Sequence, residues 1–427
     1  MSDLALGIDV GTSGVRIAAI DQAADVVAFA ASVMPAPQRD GERVMQDPFV
    51  WERGLGDAMA RLASMIDLAR VSALAVDGTS GTLLAVDDRG IPVSAGSLYN
   101  DRADAADLTL VERAAPPQAA VHGATSPLAR AIRLLRGPGV ARILHQADWI
   151  AAQFSGCFDI SDESNALKTG YDPVDRRWPD WISAADVAPA KLPAVVAAGS
   201  IIGQVSAEAS RRFGLPARTL VIAGMTDGCA AFMATGAARP GDAVTSLGST
   251  LVLKLASDRP LFAPEFGIYS HRIGDLWLAG GASNSGGMVL AQFFSAEEIR
   301  DISPRIDTSV STGLDYYPLP ARGERFPIND PELAPRMTPR PDDDAVFLQA
   351  LFEGIARIES LGYRRLWELG GPALAGVGSV GGGAKNESWR RIRAAALGVS
   401  VVASEHDEAA IGVARLALRA LGTVPSS

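Results

Sequence analysis

A short apolar strand that ends in a turn of Gly, Ser and Thr and leads into a second apolar strand occurs twice in the chain. At the start, Leu4–Ile8 and Val15–Ile20 flank the turn Gly11–Gly14. In the second half, 243–247 and 251–255 flank Gly248-Ser-Thr250. Two apolar runs around a Gly-rich turn predict a β-hairpin. Its repetition predicts two related domains that face each other across a cleft.

The length agrees with two domains. The 427 residues exceed the roughly 250–300 residues at which a single core stops growing. Predicted helices, among them 47–65, 128–152, 343–367 and a segment running to Phe294, alternate with predicted strands, so the fold class is α/β. We place the N-terminal domain at 1–235 and the C-terminal domain at 236–406. The helix at about 407–422 is expected to pack back on the first domain.

Composition limits the classes of partner. The formal net charge of −10 disfavours nucleic acid and anionic membranes, since both reward a basic surface. The longest uncharged stretch, between Asp275 and Glu297, is interrupted by Gly, Ser and Asn and should not cross a bilayer. Cys157 and Cys229 are far apart in the sequence and suit a reducing compartment. No basic leader precedes Asp9, and we therefore expect a cytoplasmic protein.

Gly-rich turns follow apolar strands at 11–14, 78–81, 248–250 and 381–383. Gly lets the backbone approach a phosphate or nucleoside closely, and Ser and Thr add hydroxyl donors. None of the turns has the spacing of a P-loop or of a dinucleotide-binding motif. One such turn is typical of ordinary loops, but the set together favours phosphate binding.

Two carboxylates lie beside these turns. Asp9 stands between the first strand and its turn, where it could hold Mg²⁺, directly or through water, beside a transferred phosphate. The alternative is a residue that only initiates the turn. Asp227 follows the strand 220–224 and precedes a helix of small residues, so it could take a proton from an attacking hydroxyl or merely cap the helix.

The order of these motifs resembles that of the FGGY carbohydrate kinases, which belong to the superfamily of actin, hexokinase and the heat-shock-chaperone ATPases. The resemblance rests on Gly7-Ile-Asp-Val-Gly-Thr-Ser-Gly14, Ala223-Gly-Met-Thr-Asp-Gly-Cys229, Ser246-Leu-Gly-Ser-Thr250 and Gly381-Gly-Gly-Ala-Lys-Asn386. It implies two ribonuclease-H-like (actin-like ATPase) domains around a central cleft, with ATP and Mg²⁺ as cofactors.

The resemblance also implies roles for single residues. It makes Asp227 the general base and Asp9 the residue that organises Mg²⁺. The residues that it assigns to ATP or its phosphates are Gly11, Thr12 and Ser13 in the first turn, Gly248, Ser249 and Thr250 in the second, and Gly382, Gly383, Asn386 and the adenine neighbour Trp389.

Two departures bear on the substrate. D-xylulose kinases typically carry Met-His-Gly where this chain has Thr79-Ser80-Gly81, and Trp-x-Asp where it has Tyr99-Asn-Asp101. Both segments look like those of the short plant and cyanobacterial kinases for D-ribulose. The substrate-binding residues implied are Asp9, Thr79, Ser80, Asp101 and Asp227. For Ser80 and Asp101 the alternatives are a turn cap and a surface carboxylate.

The sequence therefore predicts ATP-dependent phosphorylation of a ketopentose at its terminal primary hydroxyl, with D-ribulose and D-ribulose 5-phosphate as substrate and product. D-Xylulose, or another sugar or polyol, is the alternative within the family. Alternatives outside it are an actin-like ATPase that is not a kinase and a sugar-sensing regulator, which would need an appended DNA-binding module. Small molecules are the only expected partners of a monomer or homodimer.

Overall fold

The computed structural model describes residues 3–422, and residues 1–2 and 423–427 lie outside it. The chain forms two compact units. The first contains the described residues up to Ala234, His271–Gly274 and those from Glu408 onward; the second contains Thr235–Ser270 and Asp275–Asp407. The sequence placed the boundary after residue 235 and left 271–274 in the second domain.

The elements of the first unit follow one another in chain order. Its strands are β1 (Leu4–Val10), β2 (Gly14–Ile20), β3 (Val26–Val33), β4 (Gln38–Asp40), β5 (Arg43–Gln46), β6 (Val71–Gly78), β7 (Leu83–Val86), β8 (Gly96–Ser97), β9 (Arg142–His145), β10 (Ile160–Asp162), β11 (Ala194–Val196), β12 (Ile201–Gln204) and β13 (Leu220–Thr226). Its helices are α1 (Pro48–Ala63), α2 (Ala105–Ala114), α3 (Pro127–Leu135), α4 (Gln146–Ser155), α5 (Glu163–Ala166), α6 (Trp181–Ala184), α7 (Ala207–Phe213) and α8 (Asp227–Ala234).

The central sheet of the first unit has the strand order β12-β13-β6-β1-β2-β3. The predicted hairpin is confirmed, because β1 and β2 pair antiparallel around 11–14. On the other side of β1, strands β6 and β13 run parallel to it. β1 is completely buried, as its unbroken apolar sequence predicts. The carboxyl ends of three parallel strands therefore lie along one edge of this sheet.

The second unit contains a shorter set of elements. They are β14 (Asp242–Leu247), β15 (Leu251–Ser257), β16 (Tyr269–Ile273, of which Tyr269 and Ser270 belong to this unit), β17 (Leu276–Ser283), α9 (Gly287–Leu290), α10 (Ala296–Ile302), α11 (Asp344–Glu368), β18 (Gly376–Val380), α12 (Glu387–Leu397) and β19 (Val401–Ala403). Its sheet has the order β16-β17-β15-β14-β18-β19, with β14 and β15 antiparallel and β18 parallel to β14. The hairpin followed by a parallel strand repeats the arrangement of the first unit, and this confirms the predicted α/β class.

The last helix, α13 (Ala409–Ala420), packs on β1 and α8 within the first unit. A Cβ atom added to Gly7 would lie 1.9 Å from the Ala410 carbonyl oxygen, and one added to Gly412 would lie 1.7 Å from that of Ala230. Only glycine permits these approaches. Gly7 of the opening motif therefore serves the packing of the C-terminal helix.

Two predicted helices differ from the structure. The segment 128–152 contains α3, a turn, β9 and α4, because Gly137-Pro-Gly139 interrupts the helical pattern. The helix expected to reach Phe294 ends at Leu290, and Ser295 starts α10 with a capping box in which Glu298 takes part. None of the helices within residues 3–422 combines the length and the apolar character that a membrane span requires.

Candidate active site

Three carboxylates are brought together by strand register in the first unit. Asp9, near the end of β1, pairs with Asp77 of the parallel strand β6. Asp77 lies opposite Met225 of β13, and Asp227 begins α8 directly after that strand. Because the carboxyl ends of parallel strands meet at one edge of the sheet, the three acids become neighbours.

Burial and neighbouring charges shift the pKa values of Asp9 and Asp77. Burial raises the pKa of Asp9, while an ion pair of 2.8 Å from Arg16 Nη1 to Asp9 Oδ2 lowers it. Burial raises the pKa of Asp77 well above its ordinary value, and the charges of Asp9 and Asp227 add to this rise. Within residues 3–422, neither Asp77 side-chain oxygen has a hydrogen-bond partner. Burial beside other carboxylates favours the neutral form of a carboxyl group, and we therefore assign a neutral carboxyl to Asp77.

Asp227 keeps its side chain at the start of a helix. Its Oδ1 accepts a hydrogen bond of 2.6 Å from the Gly228 N–H, and the residue is partly exposed. A negative charge is favourable at this end of a helix because the unpaired N–H groups point toward it. The Asp227 side chain therefore sits beside Asp9 and Asp77 but is more exposed than either.

The first predicted phosphate turn is fixed through its carbonyl groups. Gly11 N donates to Gly14 O at 3.1 Å, Gln46 Nε2 donates to Thr12 O at 3.2 Å, and Met34 N donates to Ser13 O at 2.8 Å. Ser13 is exposed, whereas Gly11 and Thr12 are partly exposed. The turn is thus held through its backbone carbonyl groups, while Gly11, Thr12 and Ser13 remain at least partly exposed. Phosphate binding by these residues stays a prediction.

The turn after β6 is held by two buried side chains. Gly81 has φ +83°, a conformation that favours glycine, and its carbonyl oxygen accepts from Arg130 Nη2 at 2.6 Å. At the start of α4, Gln146 Oε1 accepts from the N–H of Thr79 at 3.3 Å. This bond fixes the orientation of the Gln146 amide, so that its NH₂ group points away from the Thr79 peptide.

Several polar atoms around this turn are buried and have no hydrogen-bond partner within the described part of the chain: Ser80 Oγ, Thr82 Oγ1, Asn100 Oδ1 and Gln146 Nε2. Leaving one such group unpaired costs about 1–3 kcal/mol. Donors and acceptors grouped in this way match a ligand that carries several hydroxyl groups. Gly78, which precedes the turn, lies opposite Thr226, so the group adjoins Asp227.

Asp101 is fully buried, and the alternative of a surface carboxylate is wrong. Its Oδ1 accepts from Val44 N at 3.2 Å, and its Oδ2 accepts from Ser97 Oγ at 2.5 Å and pairs with Arg133. These bonds fix the loop that carries Asn100. Sugar contact by Asp101 stays a prediction, while the neighbouring Asn100 has the unpaired acceptor.

In the second unit, the predicted phosphate turn 248–250 packs against another Gly-rich segment. Gly248 N donates to Thr250 O at 3.1 Å, and Gly287 N donates to Gly248 O at 2.9 Å. A Cβ on Gly286, whose φ is +138°, would lie 2.9 Å from Ser249 O. The Gly-rich segment after β17 is therefore required for close backbone packing against the predicted phosphate turn 248–250.

The predicted adenosine motif follows β18, the strand next to β14, at the same edge of the sheet as the turn 248–250. Ser246 of β14 pairs with Val380 of the parallel strand β18, which leads into the 3₁₀ turn containing Gly382 and Gly383. Asn386 then caps α12: its Oδ1 accepts from Trp389 N at 3.0 Å, and its Nδ2 donates to Ser303 Oγ at 2.7 Å. Asn386 thus shapes the turn through its amide group.

Trp389 lies below this turn. Only 2% of its surface is exposed, and its ring stacks on Phe352 with a centroid distance of 4.5 Å and an interplanar angle of 5°. A Cβ on Gly383 would lie 2.7 Å from Trp389 Cζ3. The indole supports the Gly-rich turn from within the core, and direct contact with adenine stays a prediction.

A cavity of about 390 Å³ opens beside the start of α12. Its lining includes Arg300, Ser303, Lys385, Asn386 and Arg391. The size falls in the range of small-molecule sites. Cationic side chains and N–H groups at the first turn of a helix suit an anionic or hydrogen-bonding ligand.

A bound Mg²⁺ would take most of its ligands from water and the phosphates of ATP rather than from protein side chains. Among residues 3–422, no three His, Cys, Asp or Glu side chains are arranged to hold a metal ion. Mg²⁺ normally keeps several waters and binds one or two carboxylates together with substrate phosphates. The Asp9 carboxylate, at the mouth of the first turn, fits a site of that kind.

Asp77 and Asn100 lie in or beside the segments that the sequence assigned to the substrate, but neither was given a role, and Gln146 was missed altogether. The pairing of Asp77 with Asp9 depends on the register of strands distant in sequence. Gln146 was missed because it lies inside the helix predicted over 128–152. The segment Gly137-Pro-Gly139 indicates a break in that helix before Gln146.

Comparisons with known proteins identify the family. Residues 136–234 match the N-terminal domain and residues 243–421 the C-terminal domain of the FGGY family of carbohydrate kinases. Together they cover more than half of the chain.

Individual relatives align over nearly the whole chain. Xylulose kinase of Escherichia coli K12 is 26% identical over 91% of this chain and 84% of its own length. Xylulose kinase of Staphylococcus epidermidis RP62A is 23% identical over 99% of this chain and 89% of its own. A crystal structure of a xyloylose kinase from Brucella ovis matches with a TM-score of 0.89 at 23% identity, covering 99% of this chain and 91% of that one. The chain belongs to the FGGY family of carbohydrate kinases.

Proposed function

We propose that the protein transfers the γ-phosphoryl group of ATP to the terminal primary hydroxyl of an open-chain ketopentose, with D-ribulose as the substrate. The observation that carries the proposal is the group of unpaired buried atoms around Thr79–Thr82 beside Asp227. A ketose with its chain of hydroxyls would pair these atoms, and its terminal hydroxyl would face a carboxylate.

In the proposed reaction Asp227 accepts the proton of the sugar's terminal hydroxyl while that oxygen forms a bond to the γ-phosphorus. The bond between the γ-phosphorus and the oxygen bridging to ADP breaks, so the products are the sugar phosphate and ADP. General-base assistance contributes about 10²–10⁴ in rate. A neutral Asp77, which burial and the neighbouring acids favour, would keep a third negative charge away from the reacting groups.

The nucleotide is assigned to the Gly-rich turns. Residues 11–13 and 248–250 would hold the phosphates, and the cavity beside Asn386 would take the adenosine end. Asp9 would hold a nucleotide-bound Mg²⁺, directly or through water. When bound, this ion would neutralise charge on the phosphates.

D-Xylulose is the second candidate because the similar proteins from E. coli and S. epidermidis carry the name xylulose kinase. The D-ribulose proposal instead rests on the segments Thr79-Ser80-Gly81 and Tyr99-Asn-Asp101. The two sugars differ in configuration at one carbon. A site that hydrogen-bonds a hydroxyl discriminates strongly against a sugar that leaves its buried groups unpaired.

The test is ADP release from ATP and Mg²⁺ with D-ribulose, D-xylulose, L-ribulose, ribitol, glycerol or gluconate. We expect the highest kcat/KM with D-ribulose. A higher value with D-xylulose would assign the protein to the second candidate. ADP release that no added sugar accelerates would contradict the kinase proposal for these substrates and favour a non-kinase ATPase.

A further inference from the structure

Ser164 contacts the backbone N–H of Thr226, the residue that immediately precedes Asp227. The register between β13 and β6 shifts between Ile222 and Met225, where a Cβ on Gly224 would lie 1.7 Å from the Val76 carbonyl oxygen. Beyond this irregularity Thr226 is buried, and its N–H donates to Ser164 Oγ at 3.0 Å. The end of β13 is thus secured by a side chain from another segment.

Ser164 is itself rigidly placed. It lies on α5, which Asp162 caps: Asp162 Oδ1 accepts from Ser164 N at 2.8 Å and from Asn165 N at 2.9 Å. The Ser164 hydroxyl also lies 3.1 Å from Thr226 Oγ1 and 3.6 Å from Cys229 Sγ. The hydroxyl therefore touches the residues on both sides of Asp227-Gly228.

A second buried cluster supports this arrangement. His145 Nδ1 lies 2.6 Å from Asp148 Oδ2 and 3.0 Å from Ser161 Oγ, and His145 Nε2 lies 2.9 Å from Thr169 Oγ1. Ser161 directly precedes the capping residue Asp162. The loop that carries Ser164 is therefore anchored by hydrogen bonds at its start and, through Thr169, just beyond α5.

We propose that Ser164 is a positioning residue for phosphoryl transfer, because its hydroxyl fixes the Thr226 peptide and thereby the Asp227 carboxylate. The inference rests on the proposed function of Asp227. A catalytic base must be held within a fraction of an ångström of its productive place, and a misplacement of about 1 Å costs on the order of 100-fold in rate. A residue that served stability alone would leave kcat unchanged.

The experiment compares Ser164→Ala, Ser164→Thr and Thr219→Val. Thr219 is a matched control, since its buried hydroxyl donates to Val71 O at 2.8 Å just before the opposite end of β13. We expect Ser164→Ala to lower kcat by about 10- to 100-fold, with the KM for ATP unchanged. Ser164→Thr, which keeps the hydroxyl, should recover most of kcat. Thr219→Val should lower Tm but leave kcat unchanged.

An unchanged kcat in Ser164→Ala, or an equal fall of kcat in Thr219→Val, would overturn the proposal. If Ser164→Ala does not fold, Ser164→Cys in reducing buffer replaces it, with the same loss of kcat expected. A crystal structure of the variant gives a readout that does not need turnover. If the wild-type protein shows no sugar-dependent ADP release, the proposed function fails; Asp227 in its wild-type place would then also refute the positioning role, and a displaced Asp227 would support it.

Discussion

The ion pair between Glu359 and Arg393 gives the sharpest prediction about the second unit. Both side chains have no exposed surface, and Arg393 donates from Nε and Nη2 to the two Glu359 oxygens at 2.6 and 2.7 Å. Arg393 Nη1 also donates to Ser379 Oγ at 2.6 Å, and Thr245 Oγ1 donates to Glu359 Oε1 at 2.6 Å. Since Thr245 lies on β14 and Ser379 on β18, the pair connects the strands that lead into the two predicted nucleotide turns of this unit.

Replacing Glu359 with Gln keeps the shape of the side chain but leaves the Arg393 charge buried without a counter-charge. Removing one partner of such a pair costs about 3–5 kcal/mol, whereas replacing both by apolar residues of similar volume is often near neutral. In the double variant Glu359→Met/Arg393→Met, Ser379 loses its bond to Arg393, which costs about 1–3 kcal/mol. Thr245 still has Tyr363 at 2.8 Å. We therefore expect the double variant to be more stable than Glu359→Gln.

The assay is urea unfolding followed by hydrogen-exchange mass spectrometry of peptides from β14 and β18, so that the second unit is measured separately. Arg364→Met, at an exposed position of the same helix, is the control and should change the free energy of unfolding by less than about 1 kcal/mol. A loss below about 1 kcal/mol for Glu359→Gln would refute the reasoning on buried charge. A double variant less stable than Glu359→Gln would refute it as well.

Three further predictions concern the first unit. Asp77→Asn keeps the neutral, hydrogen-bonding group that we assign to this position, so kcat should stay within about threefold of wild type, whereas Asp77→Leu should lower it strongly. Gln146→Met removes the unpaired Nε2 and should lower kcat/KM for the sugar about 10- to 100-fold, with the KM for ATP unchanged. Burial raises the pKa of Asp162 from 3.8 to about 7. Its contribution to stability is complete below about pH 4 and is lost as the pH rises to about 7, by up to about 1.4 kcal/mol per pH unit; Asp162→Asn should remove this dependence from the free energy of unfolding.

Each has an outcome that contradicts it. Equal loss of kcat in the two Asp77 variants would show that the site needs an ionised carboxylate there. A Gln146→Met variant with wild-type kcat/KM for every sugar would remove Gln146 from the substrate site. Unfolding curves of wild type and Asp162→Asn that stay parallel between pH 4 and pH 7 would show that Asp162 is ionised throughout.

The sequence predicted best what is encoded locally. The hairpin at Gly11–Gly14 and its counterpart at 248–250 follow from apolar runs around Gly-rich turns, and both are observed. A helix was expected over 47–65, and α1 begins there at Pro48, with Asp47 accepting from Phe49 N as a cap does. Such features depend on neighbouring residues only, and they identified the places where ligands are expected.

What the sequence could not supply depends on contacts between distant segments. Asp9 drew attention because of its turn, but only strand register shows that Asp77 lies beside it, where burial raises the pKa of Asp77. Trp389 was expected beside adenine; it packs on Phe352 beneath the Gly-rich turn, and its contact with adenine stays a prediction. Asp101 was expected at the sugar; its carboxylate is buried and bound to Ser97 and Arg133, and sugar contact stays a prediction. In each case the residue was noticed, and tertiary packing decided its surroundings.

The central claim is that Asp227 activates a sugar's terminal hydroxyl toward ATP. The most direct measurement is ³¹P and ¹³C NMR of the products formed from ATP, Mg²⁺ and ¹³C-labelled D-ribulose by wild type and by Asp227→Asn. We predict a new phosphate ester on the terminal carbon C5 with wild type, and a rate at least about 100-fold lower with the variant, which still binds ATP. Inorganic phosphate as the only product of the wild type, or the same ester formed at an unchanged rate by Asp227→Asn, would contradict the claim.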